Sequence, residues 1–206
     1  MAENLRFVEI KNIDDDLFLD WLDLYEISFP ANEKLLFSTL LKILKAKGKG
    51  DTPGMHMVVI QNRTERTVGM ALFQLHLDKE LATLWYLAIN PSERNQGLGS
   101  MIYRRIVSDI DPSLYKAVIF EVEIPGDAKA SPHAERRIQF YQRNGAYLLQ
   151  GVHYMQDIGW HQPRTTMHIM VHPLQPITTA QVFNLAKSLF GDLLQQVGPL
   201  ELVNHS

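Results

Sequence analysis

One stretch dictates most of what this chain can fold into: LWYLAINPSERNQGLGSMIYRR, residues 84–105. It opens on an apolar run, Leu84-Trp85-Tyr86-Leu87-Ala88-Ile89, that suits a buried strand, and Asn90-Pro91-Ser92 stops it. Arg94, Asn95, Gln96, Gly97, Leu98 and Gly99 follow. From Ser100 to Ser108, the spacing of Met101, Ile102, Arg105 and Ile106 is helical. Glycine at 97 and 99 removes side chains where main-chain amides would turn toward one point. A helix N-terminus behind them adds about half a positive charge. Strand, amide-lined loop and helix in this order make a cradle for a phosphate. The spacing is neither the G-x-G-x-x-G of dinucleotide folds nor the G-x-x-x-x-G-K-[ST] of P-loops.

The flanking pattern extends the reading. Residues 5–10 form a first strand. A helix runs from residues 14–16 to Tyr25 with Leu17, Trp21, Leu24 and Tyr25 on one face. A second helix covers residues 33–45, with Leu36, Leu40, Leu41 and Leu44 inward, and residues 45–50 (KAKGKG) are a solvated loop. Residues 55–61, 67–77 and 81–90 read as a meander of three antiparallel strands. Residues 117–124 form a strand parallel to the one before the loop, as a strand–helix–strand crossover requires. A helix over residues 134–144 ends at Gly145. Two strands, 146–150 and 166–171, enclose a loop over residues 151–164, and an amphipathic helix over residues 178–197 closes the chain.

Composition narrows the function classes. The net charge of −3 over 206 residues gives no global field for nucleic acid or an anionic membrane. The absence of cysteine removes disulfides, a thiol nucleophile and thiolate metal ligands. The eight histidines make no metal-binding spacing, so no metal is expected. The start of the sequence lacks a signal-peptide layout, no apolar run is long enough to span a membrane, and a cytoplasmic protein follows.

Arg94-x-x-Gly97-x-Gly99 after a hydrophobic strand resembles the pyrophosphate loop of the GNAT superfamily, the acetyl-CoA-dependent N-acyltransferases. Two further segments carry the likeness: Phe140-Tyr141-Gln142-Arg143-Asn144-Gly145, similar to the family's F-Y-x-x-x-G, and Ser28-Phe29-Pro30-Ala31-Asn32-Glu33, similar to its S-F-P-x-x-E turn. The resemblance covers residues 5–171. It implies an α/β (α+β) GNAT fold: a mixed, mostly antiparallel sheet with one splayed parallel strand pair, helices on both faces and an extra C-terminal helix. Residues 1–171 would be the acetyltransferase domain and 172–206 an extension that offers a docking or homodimer surface.

The same resemblance implies the site. Acetyl-CoA would lay its pantetheine arm along Leu87, Ala88 and Ile89, where a main-chain amide stabilises the oxyanion. Its pyrophosphate would sit on the loop of Arg94, Asn95, Gln96, Gly97, Leu98, Gly99 and Ser100. Tyr141 matches the tyrosine that protonates the departing thiolate. Glu121, in the segment Phe120-Glu121-Val122-Glu123, matches a glutamate that accepts the amine proton. Strand alternation puts Glu121 and Glu123 on one face, and paired carboxylates there either work or find cations in Arg136, Arg137 or Lys116. Glu33, Glu123 and Trp160 are the expected contacts to the amine acceptor, a small molecule or peptide. Two positions depart from the family pattern: Ala146 replaces an aromatic residue, and Ala134 replaces an asparagine that touches CoA. No Ser-His pair supports a covalent acyl-enzyme route. The competing expectation is a non-catalytic CoA-binding or sensing module, because fold does not fix function.

Overall fold

The computed structural model describes residues 5–48, 54–127, 130, 132–157 and 164–204. In chain order these form β1 (Arg6–Glu9), α1 (Leu17–Ser28), α2 (Phe37–Gly48), β2 (Met55–Gln61), β3 (Thr67–His76), β4 (Leu81–Ile89), α3 (Leu98–Ser108), β5 (Ala117–Glu123), α4 (Ala134–Arg143), β6 (Tyr147–Gln156), β7 (Thr165–Pro173), α5 (Thr179–Phe190) and β8 (Leu194–Val203). The hydrogen-bonded strand order is β1-β2-β3-β4-β5-β7-β6-β8. The β4–β5 pair is parallel, and β1–β2, β2–β3, β5–β7, β6–β7 and β6–β8 are antiparallel. Among the described residues no helix is long and apolar enough to cross a membrane.

The chain divides into two compact units, Met1–Leu75 with Leu84–Ile102, and His76–Thr83 with Tyr103–Ser206. In the first, α1 buries Phe18, Trp21, Leu24 and Tyr25 against Leu40 and Leu44 of α2 and against Met57, Val59, Met70 and Leu72 of the strands. Trp21 is fully buried, and its indole Nε1 donates to the Ala71 carbonyl at 3.1 Å, so burying the ring strands no polar group. The second helix starts four residues later than its periodicity suggests. Residues Ala31–Glu33 form a 3-10 turn instead, and Leu36 is exposed. The cause is Tyr86 of β4. Its hydroxyl donates to the Glu33 carbonyl at 2.7 Å and accepts the Leu35 amide at 3.1 Å, holding that main chain outside a helix. At its other end α2 continues to Gly48, so the first four residues of the expected basic loop are helical.

In the second unit, the parallel ladder consists of Leu81–Ala117, Ala82–Val118 and Thr83–Ile119. Leu81, Ala117, Ile119, Leu149, Ile169 and Val171 pack against Val182 and Ala186 of α5. The buried side of α5 therefore packs on this core, with Phe183, Leu185, Leu189 and Phe190 partly buried against it. Thr178 and Gln181 cap α5 reciprocally. The expected helix over residues 178–197 ends early, at Gly191, whose φ of 55° and ψ of −134° leave the helical region. Residues 194–203 are strand β8, paired with β6. The tail thus adds a strand as well as a helix. β8 ends the strand order and contains Pro199, which an edge strand tolerates. The loop expected from residue 151 is also strand as far as Gln156. A bulge at Gly151, φ 80°, carries β6 past a break in register, and a methyl group there would lie 2.0 Å from the Pro199 carbonyl oxygen.

Candidate functional site

Within the first unit, the turn after β4 is built by side chains. Asn90 Oδ1 accepts from the amide and hydroxyl of Ser92 at 3.2 and 2.9 Å, and its Nδ2 donates to the Thr67 carbonyl at 3.2 Å. Arg66, just before β3, clamps the same turn, with Nη2 donating to Ser92 Oγ at 2.9 Å and Nη1 3.3 Å from Glu93 Oε1. Arg66 carried no signal in the sequence, because its partners are twenty-six and more residues away. Arg94 folds back, and its Nε donates to the Ile89 carbonyl at 3.0 Å. Leu87 and Ile89 are half-buried and Ala88 is buried.

The loop then takes two left-handed steps, Asn95 at φ 64° and Gly97 at φ 80°. A Cβ added at Gly97 would meet no atom within 4 Å. Asn95, Gln96 and Gly97 are exposed, Leu98 is buried, and Gly99 and Ser100 are half-buried. The Met101 amide donates to the Gly97 carbonyl at 3.2 Å and opens the helical ladder. The amides of Leu98, Gly99 and Ser100 thus occupy the first turn of α3, the positive end of its dipole. Glu33, also in this unit, is buried in its 3-10 turn; its carbonyl, not a helix cap, ties it to Tyr86.

Within the second unit, Glu121 and Glu123 point the same way from β5 but have different partners. Glu121 Oε1 accepts the Tyr154 hydroxyl at 2.7 Å and Oε2 accepts Gln156 Nε2 at 2.6 Å. Burial pushes the Glu121 carboxyl above the ordinary glutamate range, and the two donors hold it partly down. Glu123 is buried and pairs with Arg137 at 3.1 Å. Lys116 is engaged elsewhere, with Glu80. Burial, then the Glu121 charge, drives the Tyr154 phenol far up. Tyr154 and Gln156 were invisible as partners, since the sequence pattern ends their strand at residue 150.

Tyr141 lies on the opposite face of β5, against Phe120, with ring centroids 4.4 Å apart. Tyr103 and Phe140 complete an aromatic collar at 5.2 and 5.0 Å. Burial pushes the phenol up to about 12, with Arg137 acting in the other direction. Its hydroxyl has no hydrogen-bond partner among the described residues. Tyr103 in turn meets His172 Nδ1 at 3.1 Å, and burial lowers that imidazole, as it does His168. Trp160 and His161 lie outside the described residues. Among the described residues, no three His, Asp or Glu side chains group as metal ligands.

Comparison with known proteins adds the lineage. The sequence profile of the Acetyltransferase (GNAT) family matches residues 18–146. No curated protein matches the chain in sequence. A solved structure from Bacteroides thetaiotaomicron, assigned to the GNAT family, superposes with a TM-score of 0.69 at 23% identity, over 90% of this chain and 98% of that one. A spermidine/spermine N-acetyltransferase from Vibrio cholerae gives 0.57 at 14% identity, over 82% and 92%. A ribosomal-protein-S18-alanine N-acetyltransferase from Escherichia coli gives 0.52 at 17% identity, over 84% and 96%. At these identities the structural likeness is one of fold.

Proposed function

The chain belongs to the GNAT acetyltransferase family, and from that premise we propose that it moves the acetyl group of acetyl-CoA onto a primary amine by direct attack. The observation that carries the reading is the left-handed pair Asn95 and Gly97 ahead of α3. Those two steps deliver the amides of residues 98–100 together at a helix N-terminus, an arrangement suited to a diphosphate. The open space beside Gly97 is where a side chain would otherwise intrude.

The chemistry divides among the chain's own groups. The amine nitrogen forms a bond to the thioester carbonyl carbon, and the carbon–sulfur bond breaks. The departing sulfur takes its proton from Tyr141, whose hydroxyl makes no hydrogen bond among the described residues. The amine proton goes to Glu121, whose raised carboxyl suits a base better than an ordinary glutamate. Glu123 is the weaker candidate for that step because it is paired with Arg137. A main-chain amide at Leu87, Ala88 or Ile89 serves the oxyanion. Glu33, Glu123 and Trp160 form the acceptor contacts, and a cytoplasmic setting goes with this reading.

Calorimetric titration of the full chain with acetyl-CoA tests it. Micromolar binding that ATP does not displace is expected, and no heat at high micromolar concentration overturns it. Turnover is then measured against spermidine, an alanine-initiated peptide and a wider amine panel. The first two acceptors are suggested by the names of the structural relatives. CoA binding without turnover of any amine points instead to a sensing module.

A further inference from the structure

The last turn of α4, which carries Tyr141, is braced by the residue that follows β8. Asn204 Nδ2 donates to the carbonyls of Gln142 and Ala146, both at 3.0 Å. The brace is reciprocal, since Gln142 Nε2 donates to the Val203 carbonyl at 3.2 Å. The Gln142 carbonyl, in the last turn, also accepts the Gly145 amide at 3.0 Å, and Ala146 follows the helix, so the Asn204 amide bridges the end of α4 to the residue before β6 and fixes where that turn sits. Here the two carbonyls flank Tyr141 functionally. Gln142 is its neighbour in the chain, and the Ala146 amide donates to the Tyr141 carbonyl at 3.0 Å. A second tie, from Arg104 Nε to Asn144 Oδ1 at 2.9 Å, holds the same turn from α3.

We propose that Asn204 is a positioning residue for Tyr141, so that the segment after β8 belongs to the catalytic apparatus although it lies outside the family's matched region. The inference rests on the reading of Tyr141 as proton donor. Its physical basis is that the Tyr141 hydroxyl has no hydrogen bond of its own among the described residues. The hydroxyl's location is therefore inherited from ring packing and from the main chain beneath it. Proton transfer tolerates little misplacement, and an error of about 1 Å costs up to roughly a hundredfold in rate. Loosening the turn thus acts on the chemical step rather than on the binding of acetyl-CoA.

The test is a kinetic cycle on the full chain, with acetyl-CoA and the best amine of the panel. Asn204→Ala is expected to lower kcat roughly 5- to 30-fold while KM for acetyl-CoA stays within about twofold. Asn204→Gln, which keeps the amide donor, recovers part of the loss. In a Tyr141→Phe background Asn204→Ala has no further effect. An unchanged kcat in Asn204→Ala, a rise in KM alone, or losses that multiply in the double variant overturn the inference and leave the acid role of Tyr141 standing. An unchanged kcat in Tyr141→Phe removes the acid role and this inference with it. If no amine turns over, amide exchange decides. Asn204→Ala should speed exchange at Gly145 and Ala146 at least tenfold and spare Ile119 of β5, and equal rates at all three positions overturn the brace.

Discussion

The hydroxyl of Tyr154 on β6 reaches across β7 to donate to the Glu121 carboxylate on β5, at 2.7 Å. That bond, with the one from Gln156, opposes the burial that raises the Glu121 carboxyl. Removing it in Tyr154→Phe takes away a stabiliser of the charged form, so the carboxyl rises further. The acid limb of the pH–rate profile should move to higher pH in the variant. An unmoved limb means that Glu121 is not the group being titrated in catalysis.

Glu121 also makes stability depend on pH. A carboxyl raised in the folded chain binds its proton more tightly there than in the unfolded chain. Its contribution is full below the unfolded value and is lost as pH rises through the raised value. Glu121→Gln removes that loss. Its melting temperature relative to the parent should therefore climb between acid and neutral pH. A difference that stays flat across that window contradicts the raised carboxyl.

Tyr141→Phe keeps the ring in its collar of Phe120, Tyr103 and Phe140 and deletes only the hydroxyl. Turnover should fall on the order of a hundredfold, and affinity for CoA should change less than about twofold. With the phenol pushed up to about 12, the parent profile should show no alkaline limb from this group below about pH 10. Activity equal to the parent in steady-state assays removes the acid role.

Gly97→Ala places a methyl group at φ 80° in open space. The backbone cost is about 1 kcal/mol, with no internal clash to add to it. If residues 97–100 hold a diphosphate, the methyl group meets the ligand instead, and the acetyl-CoA dissociation constant should rise at least about tenfold. Thermal shift and calorimetry on the same variant separate the two effects. A purely thermal change would place the diphosphate elsewhere.

Gly151→Ala meets β8 directly, because its Cβ would sit 2.0 Å from the Pro199 carbonyl oxygen. Chemical denaturation should show a loss of roughly 2–4 kcal/mol. A loss under about 0.5 kcal/mol means that the bulge relaxes freely.

How far the sequence reveals this molecule depends on how local each signal is. The run from Leu84 to Ser108 is punctuated by its own residues. Asn90 caps its own turn, Gly97 supplies its own left-handed step, and the elements fall within two residues of their expected bounds. β5 and α4 are legible for the same reason. The tail misleads because Leu189, Leu193, Leu194 and Val197 keep a helical period. The bonds that make residues 194–203 a strand come from β6, forty or more residues earlier. Glu121 was identifiable as an inward carboxylate on β5, but its partners Tyr154 and Gln156 required knowing that β6 continues past Gly151. The start of α2 was set by a tyrosine hydroxyl about fifty residues away, a distance no periodicity spans.

Pro199 has a consequence beyond folding. An outermost strand with a complete row of amide donors is a template on which another chain's strand can grow. The imino acid in β8 breaks that row. This margin of the sheet should thus resist edge-to-edge polymerisation when crowded, and Pro199→Val would turn it from blunt to adhesive.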